Sequence, residues 1–240
     1  MSSIAYRGFD FSPYVSAELV EPCGHSVAPR TASVLGRPGA VLLGGEIEPL
    51  LLRVRLFWDG RAALDDAGRA YARHVLSAGL LAPSGGELKV PGEPAVTYRD
   101  AVLTDAGEWD SLFEDGSCVL EFTCFDPIAY GAYNVIPFET FRVGGTWRTW
   151  PEVTLVAAGS VDVVVRDVAS GKYVRVAGDG LAVGAVVVVD FAAETVTVDG
   201  ADASASVSLG SDFFALEPGS CTLAFEGCSS HYVRFWDRWV

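Results

Sequence analysis

Basic residues, histidines and cysteines are scarce in this 240-residue chain: 17 Lys and Arg stand against 31 Asp and Glu, with 3 His and 5 Cys. The resulting net charge of −14 repels phosphate backbones and anionic bilayers, which excludes nucleic acid and membrane surfaces as partners. No long apolar run is present, since the longest aliphatic stretch, Ala185 to Val189, falls far short of the roughly 20 residues that cross a bilayer. The first residues, Met1 to Gly8, lack a cationic segment followed by an apolar one, so no secretory leader is expected and the protein is read as soluble and made in a cytoplasm. Cys23, Cys118, Cys124, Cys221 and Cys228 form no C-x-x-C pair and are odd in number, which offers neither a zinc site nor a disulfide framework. Free buried thiols are expected, with Cys118 and Cys124 on one face of a strand because they share parity.

Catalytic signatures are missing too. There is no phosphate-cradling G-x-x-x-x-G-K-[ST], no H-E-x-x-H and no G-x-S-x-G. Gly178, Gly180 and Gly184 come within one residue of the dinucleotide fingerprint but lead into a strand where that motif needs a helix. His25, His74 and His231 are scattered, with no nucleophile or orienting pair beside them. The adjacent carboxylates Asp65 and Asp66 are explained by helix capping, without a glycosidase mechanism. No catalytic residue, metal or cofactor is assigned, and an enzyme is not expected.

What the chain does contain is apolar residue in abundance, 50% against 20% charged, enough for a globular protein with a substantial core. Val119 to Phe125 is a β-branched and aromatic run driven into a stop at Asp126-Pro127, where proline lacks the N–H a ladder needs. Two differently built parts are expected on either side of this region, over residues 1–140 and 141–240. In the first, Tyr6 to Pro13 reads as a short strand broken at Gly8. Residues 20–45 carry so many Gly and Pro that no regular structure is expected, and a segment of that length is either a surface loop or an arm reaching a neighbouring subunit. Its tip, Gly36-Arg37-Pro38-Gly39, is the candidate inter-subunit contact. Leu50 to Trp58 alternates as a half-buried strand. A helix is expected over about 64–81, with Ala67, Tyr71, Val75 and Ala78 as its apolar stripe against the sheet. Leu88 to Val90, Thr97 to Leu103 and Ser117 to Phe125 complete this part as strands, with Trp109, Leu112 and Phe113 in a connection.

The second part changes rhythm. Short strands are expected at Val153–Val156, Val161–Val168, Tyr173–Val176, Ala185–Phe191, Thr195–Val198, Ala205–Leu209, Phe213–Leu216, Cys221–Phe225 and Tyr232–Trp236, with turns at Ser170-Gly171-Lys172 and Asp199-Gly200. That series, with no helix, implies a β-sandwich of jelly-roll or lectin-like type. Trp147, Trp150, Trp236 and Trp239 cluster near its ends, where packing competes with stacking on sugar rings.

In order along the chain, several segments resemble the distal tail (Dit) proteins of siphophages and prophages of mainly Gram-positive hosts. They are Arg7-Gly8-Phe9-Asp10-Phe11-Ser12, Gly36-Arg37-Pro38-Gly39, Tyr98-Arg99-Asp100-Ala101-Val102-Leu103 and the F-x-C-x-D-P-x-x-Y stretch from Phe122 to Tyr130. Gly144-Gly145 with Pro151 resembles the family's lead-in to its second domain, lacking the usual Asn. Ala185 to Asp190, Thr195 to Gly200, Ser211 to Leu216 and Glu217-Pro218-Gly219 resemble its closing pattern. The resemblance implies an α+β N-terminal ring domain and a C-terminal galectin-like sandwich. It also implies a homohexameric ring at the tail tip of the virion, assembled in the bacterial host cytoplasm. The implied partners are the tail tube protein, a tail-associated fibre or lysin protein and a receptor-binding protein. Asp126, Pro127 and Tyr130 are then the candidate domain junction. Two other classes remain beside the structural hub: a carbohydrate-binding module without a tail role, and a β-sandwich glycoside hydrolase, which requires two facing carboxylates roughly 5 to 10 Å apart.

Overall fold

The computed structural model describes residues 4–20, 24–58, 65–179 and 181–240. Pro22, Cys23, Gly180 and residue 64 at the start of the expected helix lie outside these segments. By contacts the chain divides into two compact units, one reaching Tyr130 and the other spanning Gly131–Trp239. The division falls earlier in the chain than the expected 140/141. The architecture is mainly β, with the principal helix in the first unit and a β-sandwich in the second.

In the first unit β1 (Ala5–Tyr6) and β2 (Phe9–Asp10) form a tight hairpin. The expectation of a single broken strand is corrected here: Arg7 and Gly8 both take positive φ, 52° and 79°, the pair of left-handed residues that a two-residue hairpin turn needs. After β3 (Val15–Leu19) come β4 (Val27–Ala32) and β5 (Val41–Ile47), which pair with each other. The irregular segment expected over 20–45 is therefore largely a β-hairpin. Its glycines sit at the tip and at a bulge between Arg30 and Thr31, where they bend the ladder without abolishing it.

In β6 (Leu50–Trp58) the alternation seen in sequence is realised, with Leu50, Leu52, Val54 and Leu56 buried. Helix α1 (Asp66–Leu80) is capped by Asp65, whose carboxylate accepts from Gly68 N at 2.8 Å. The helix buries Ala72, Leu76 and Leu80, not the expected Ala67–Tyr71–Val75–Ala78 stripe, and Tyr71 is exposed. Both stripes satisfy helical spacing, and the one with two leucines buries more apolar area. The unit continues with β7 (Gly86–Lys89), β8 (Thr97–Asp105), the one-turn helix α2 (Ser111–Glu114), β9 (Ser117–Cys124) and the start of β10 (Ala129–Ile136). Its antiparallel sheet runs β3-β6-β9-β8-β7-β1-β2. Leu76 and Leu80 of α1 and Leu112 of α2 pack on the inward residues of that sheet. At the centre the Tyr6 and Phe122 rings meet edge-on at 5.3 Å, and Tyr6 OH donates to Ala101 O at 2.9 Å.

The second unit adds β11 (Thr140–Val143), β12 (Glu152–Ala157), β13 (Val163–Asp167), β14 (Tyr173–Val176), β15 (Val186–Asp190), β16 (Thr195–Val198), β17 (Ala201–Asp202), β18 (Gly219–Glu226) and β19 (Cys228–Trp239). One sheet orders β17-β16-β15-β12-β19-β10 and the other β11-β18-β13-β14. A single core of Val153, Leu155, Val165, Val187, Val189, Phe214, Leu223 and Phe235 lies among their buried faces. Strands β10 and β11 have no counterpart in the sequence reading. Two expected strands do not form: Ala205–Leu209 becomes a 3-10 turn with a strap, and Phe213–Leu216 makes only a bridge, Leu216 exchanging two backbone hydrogen bonds with Thr149. The buried Phe214 and Leu216 anchor that strap as side chains, which explains their apolar pattern without a ladder.

Candidate assembly site

The hairpin β4–β5 contributes no residue to the buried core of its own unit. In β4 and β5 every residue is exposed or half-buried, and residues 33–40 between them are all exposed. Apolar side chains are left in water along it: Val27 is 59% exposed, Leu42 67%, Leu43 68% and Leu35, at the tip, fully. A lone two-stranded ribbon with neither face covered is marginally stable in water. Its base is fastened by Glu48 N donating to Ser26 O at 3.0 Å and by Ser26 Oγ donating to Glu48 Oε2 at 2.6 Å. Arg30 and Glu46 pair across the strands. At the tip Gly36 and Gly39 take φ of 79° and 81°, conformations that side-chain-bearing residues avoid, and Arg37 N closes the turn on Val34 O at 3.1 Å. Gly36, Arg37, Pro38 and Gly39 thus form one exposed turn.

The second group of sequence candidates also comes together. In F-x-C-x-D-P-x-x-Y, Phe122 and Cys124 are buried in the core, and the polar members fold the corner that follows. Asp126 accepts from Ile128 N through Oδ1 at 3.1 Å and from Tyr130 OH through Oδ2 at 2.6 Å. The Arg99 guanidinium lies 3.8 Å from the centre of the Tyr130 ring. Pro127 O accepts from His25 Nε2 at 2.8 Å, which ties the corner to the segment leading into the arm. Both β9 and the first residues of β10 pair with β8, so the corner lets one edge of β8 be served by two strands.

In the second unit Gly144-Gly145 packs on β19. Gly144 N donates to Asp237 Oδ1 at 3.0 Å, and Asn134 Nδ2 donates to the same oxygen at 2.9 Å. Gly145 has φ 88°, and a Cβ there would sit 2.0 Å from Arg238 O. Trp147, Trp150 and Trp236 are engaged within the unit. Arg148 lies over Trp147 and Trp150 at 5.7 and 5.4 Å, Arg238 over Trp150 at 5.2 Å, and Tyr133 against Trp236 at 4.8 Å.

His231 stacks on Phe225 at 3.9 Å, and burial pulls its imidazole below the usual value despite the opposing Glu139 charge. Cys118, Cys124 and Cys221 are buried free thiols, and burial pushes Cys118 and Cys221 up to about 11. Among the described residues no cluster of three or more His, Cys, Asp or Glu could hold a metal ion, and no helix is long and apolar enough to cross a membrane. Sequence reasoning missed the exposed apolar residues of the arm strands. Their signal was the run Val41-Leu42-Leu43 between glycine-rich stretches, which conflicts with a purely polar loop.

Residues 144–239 match the family of siphovirus-type tail components, over the C-terminal domain. Among solved structures, the Dit protein of phage SPP1, described as a paradigm of the hub adsorption apparatus in Gram-positive infecting phages, aligns over 100% of both chains with a TM-score of 0.75 at 17% identity. Two structures of the phage p2 baseplate in its activated conformation cover 95% of this chain and 92% of theirs, with TM-scores of 0.44 and 0.46 at 9% and 10% identity, below the level at which a common fold follows. No curated protein sequence matches the chain.

Proposed function

We propose that this chain, whose residues 144–239 match the C-terminal domain of siphovirus-type tail components, belongs to the distal tail family and is the structural hub of a phage tail tip. In this reading copies of the chain close into a homohexameric ring, with the first unit forming the ring and the second facing outward. The hub joins the tail tube to the fibre, lysin or receptor-binding apparatus. It acts without catalysis, as part of the virion, after assembly in the host cytoplasm.

The observation that carries the ring is the arm: a hairpin with both faces in water and Leu35, Leu42 and Leu43 exposed needs a partner surface. A contact in which the arm of one copy lies on a different surface of the next is head-to-tail, and head-to-tail contacts generate rings when the rotation closes. The corner at Asp126, Pro127 and Tyr130 supports the same reading as a fixed junction, because it is tied through His25 to the arm's base. Light scattering and negative-stain microscopy of the purified chain test the ring. Six copies weigh 6 × 25.4 kDa, roughly 152 kDa, and show a central hole. A monomer at high concentration, with no ring when tube or fibre protein is added, would overturn it.

A further inference from the structure

The outward face of the sheet β11-β18-β13-β14 holds a feature that a tail hub does not require. Across its register Arg175 on β14 stands opposite Val164 on β13, and Val164 opposite Glu226 on β18. Tyr173 stands opposite Arg166 one pair further on. With Asp162 these residues line a groove of about 390 Å³. Val164 is its floor, only 6% exposed although it points away from the core cluster of its own unit. Glu226 and Arg175 are exposed above it, Arg166, Tyr173 and Asp162 half-exposed.

Three of the four charged groups, Asp162, Arg166 and Arg175, are engaged by neighbours, and Glu226 is exposed. Arg175 grips Asp162, with Nε donating to Oδ2 at 2.6 Å, and Gly178 N donates to Oδ1 of the same carboxylate at 2.8 Å. The Arg166 guanidinium lies over the Tyr173 ring, 4.8 Å from its centre. Two cations and two anions cancel, so the groove is electroneutral in a protein of net charge −14. Nor is the β14 edge open to an added strand: Ser208 N and Asp212 N donate to Arg175 O and Tyr173 O at 2.9 and 2.8 Å, so a strap of the same unit already pairs with it.

Two guanidinium donors, one fixed and one exposed carboxylate acceptor and a tyrosine ring beside one apolar residue, with no net charge, are complementary to a ligand that is uncharged, rich in hydroxyls and apolar on its ring faces. We propose that this groove binds a neutral saccharide chain. An anionic polymer would meet Asp162 and Glu226, a cationic one Arg166 and Arg175, and an apolar peptide would strand all four charges. Asp162 is not suited to serve as the acid of a hydrolase. Asp162 is kept ionised by the Gly178 N–H and by Arg175, which pull its carboxyl below the ordinary value, so it is a poor proton donor. The inference is separate from the ring, because β13, β14 and β18 belong to the second unit and the arm to the first.

The test is saturation-transfer NMR on the full chain with neutral oligomers of glucose, galactose and N-acetylglucosamine, and with poly(glycerol phosphate) as the anionic arm. Saturation transfer to at least one neutral oligomer, with a dissociation constant on the order of 0.1 to 10 mM as expected for a shallow open site, supports the proposal. R175A and E226Q should each weaken that binding about tenfold or more, while R148A, at the tryptophan cluster, leaves it unchanged; unaltered thermal unfolding shows that the variants are folded. R166Q serves as a second probe should R175A unfold the strap. No transfer to any neutral oligomer, transfer unaffected by these substitutions, or stronger transfer to poly(glycerol phosphate) each overturns it.

Discussion

At the scale of single residues, two glycines with left-handed backbones separate strain from crowding. Gly171 has φ 75° with open space where a Cβ would go, whereas Gly145 has φ 88° and the Arg238 carbonyl 2.0 Å from that position. Gly171→Ala should therefore cost only the left-handed penalty, about 1 kcal/mol, and Gly145→Ala several times more, about 3 kcal/mol or above, because backbone must move. Thermal or urea unfolding of the two variants checks this, and equal effects would refute the crowding argument. Asp237→Ala leaves Gly144 N and Asn134 Nδ2 without their shared acceptor and should cost about 1 to 3 kcal/mol in the same assay. His231 supplies a pH dependence. Its folded pKa lies below the ordinary 6.5, so as pH falls the unfolded chain takes up the proton first. Its contribution is complete above about pH 6.5 and is lost progressively below it. His231→Phe, which keeps a ring against Phe225, should flatten the fall in melting temperature between about pH 7.5 and 5.5; an unchanged profile would assign the slope to other groups.

At the scale of elements, helix α1 and the arm show how pattern and exposure part company. Leu76 is fully buried and Tyr71 is 67% exposed, although both lie on helically spaced apolar stripes. Leu76→Ala should destabilise the first unit by about 2 to 5 kcal/mol and Tyr71→Ala by no more than about 0.5, read by denaturant unfolding. The arm makes the complementary case. Replacing residues 31–41 with a short Asn-Gly turn removes exposed apolar surface and hydrogen bonds internal to the hairpin, so the unit's own core is untouched. The expected outcome is a folded chain that no longer assembles, seen as loss of high-mass species by light scattering. An unchanged mass would show that the arm is not the contact. The spacing of residues 50–58 made β6 legible because one face of the strand is buried and the other is not. The arm strands were illegible because no face of theirs is buried within the chain, so no period was written into them.

At the scale of the whole molecule, two cores have no member in common, one around Phe122 and Leu56 and the other around Val189 and Phe235. Calorimetry should resolve two transitions. Phe122→Ala should lower one of them, and Val189→Ala should lower the other. One cooperative transition shifted alike by both substitutions would reject independent units. The sequence by itself determined the β-rich class, the helix with its Asp65 cap, the alternation of β6 and β9, and the corner after Cys124, because each is set by local spacing, capping or the missing proline N–H. It carried the residues of both functional candidates, Gly36 to Gly39 and Asp126 to Tyr130, but not their roles. Only the tertiary structure decided which stripe of α1 faces inward, that the Gly- and Pro-rich segment pairs with itself, that Phe214 anchors a strap rather than a strand, and that Asp162, Arg166, Tyr173, Arg175 and Glu226 share one groove. Those outcomes depend on contacts between residues far apart in the chain, and the free energy that selects among equally periodic local patterns is apolar area buried against distant partners.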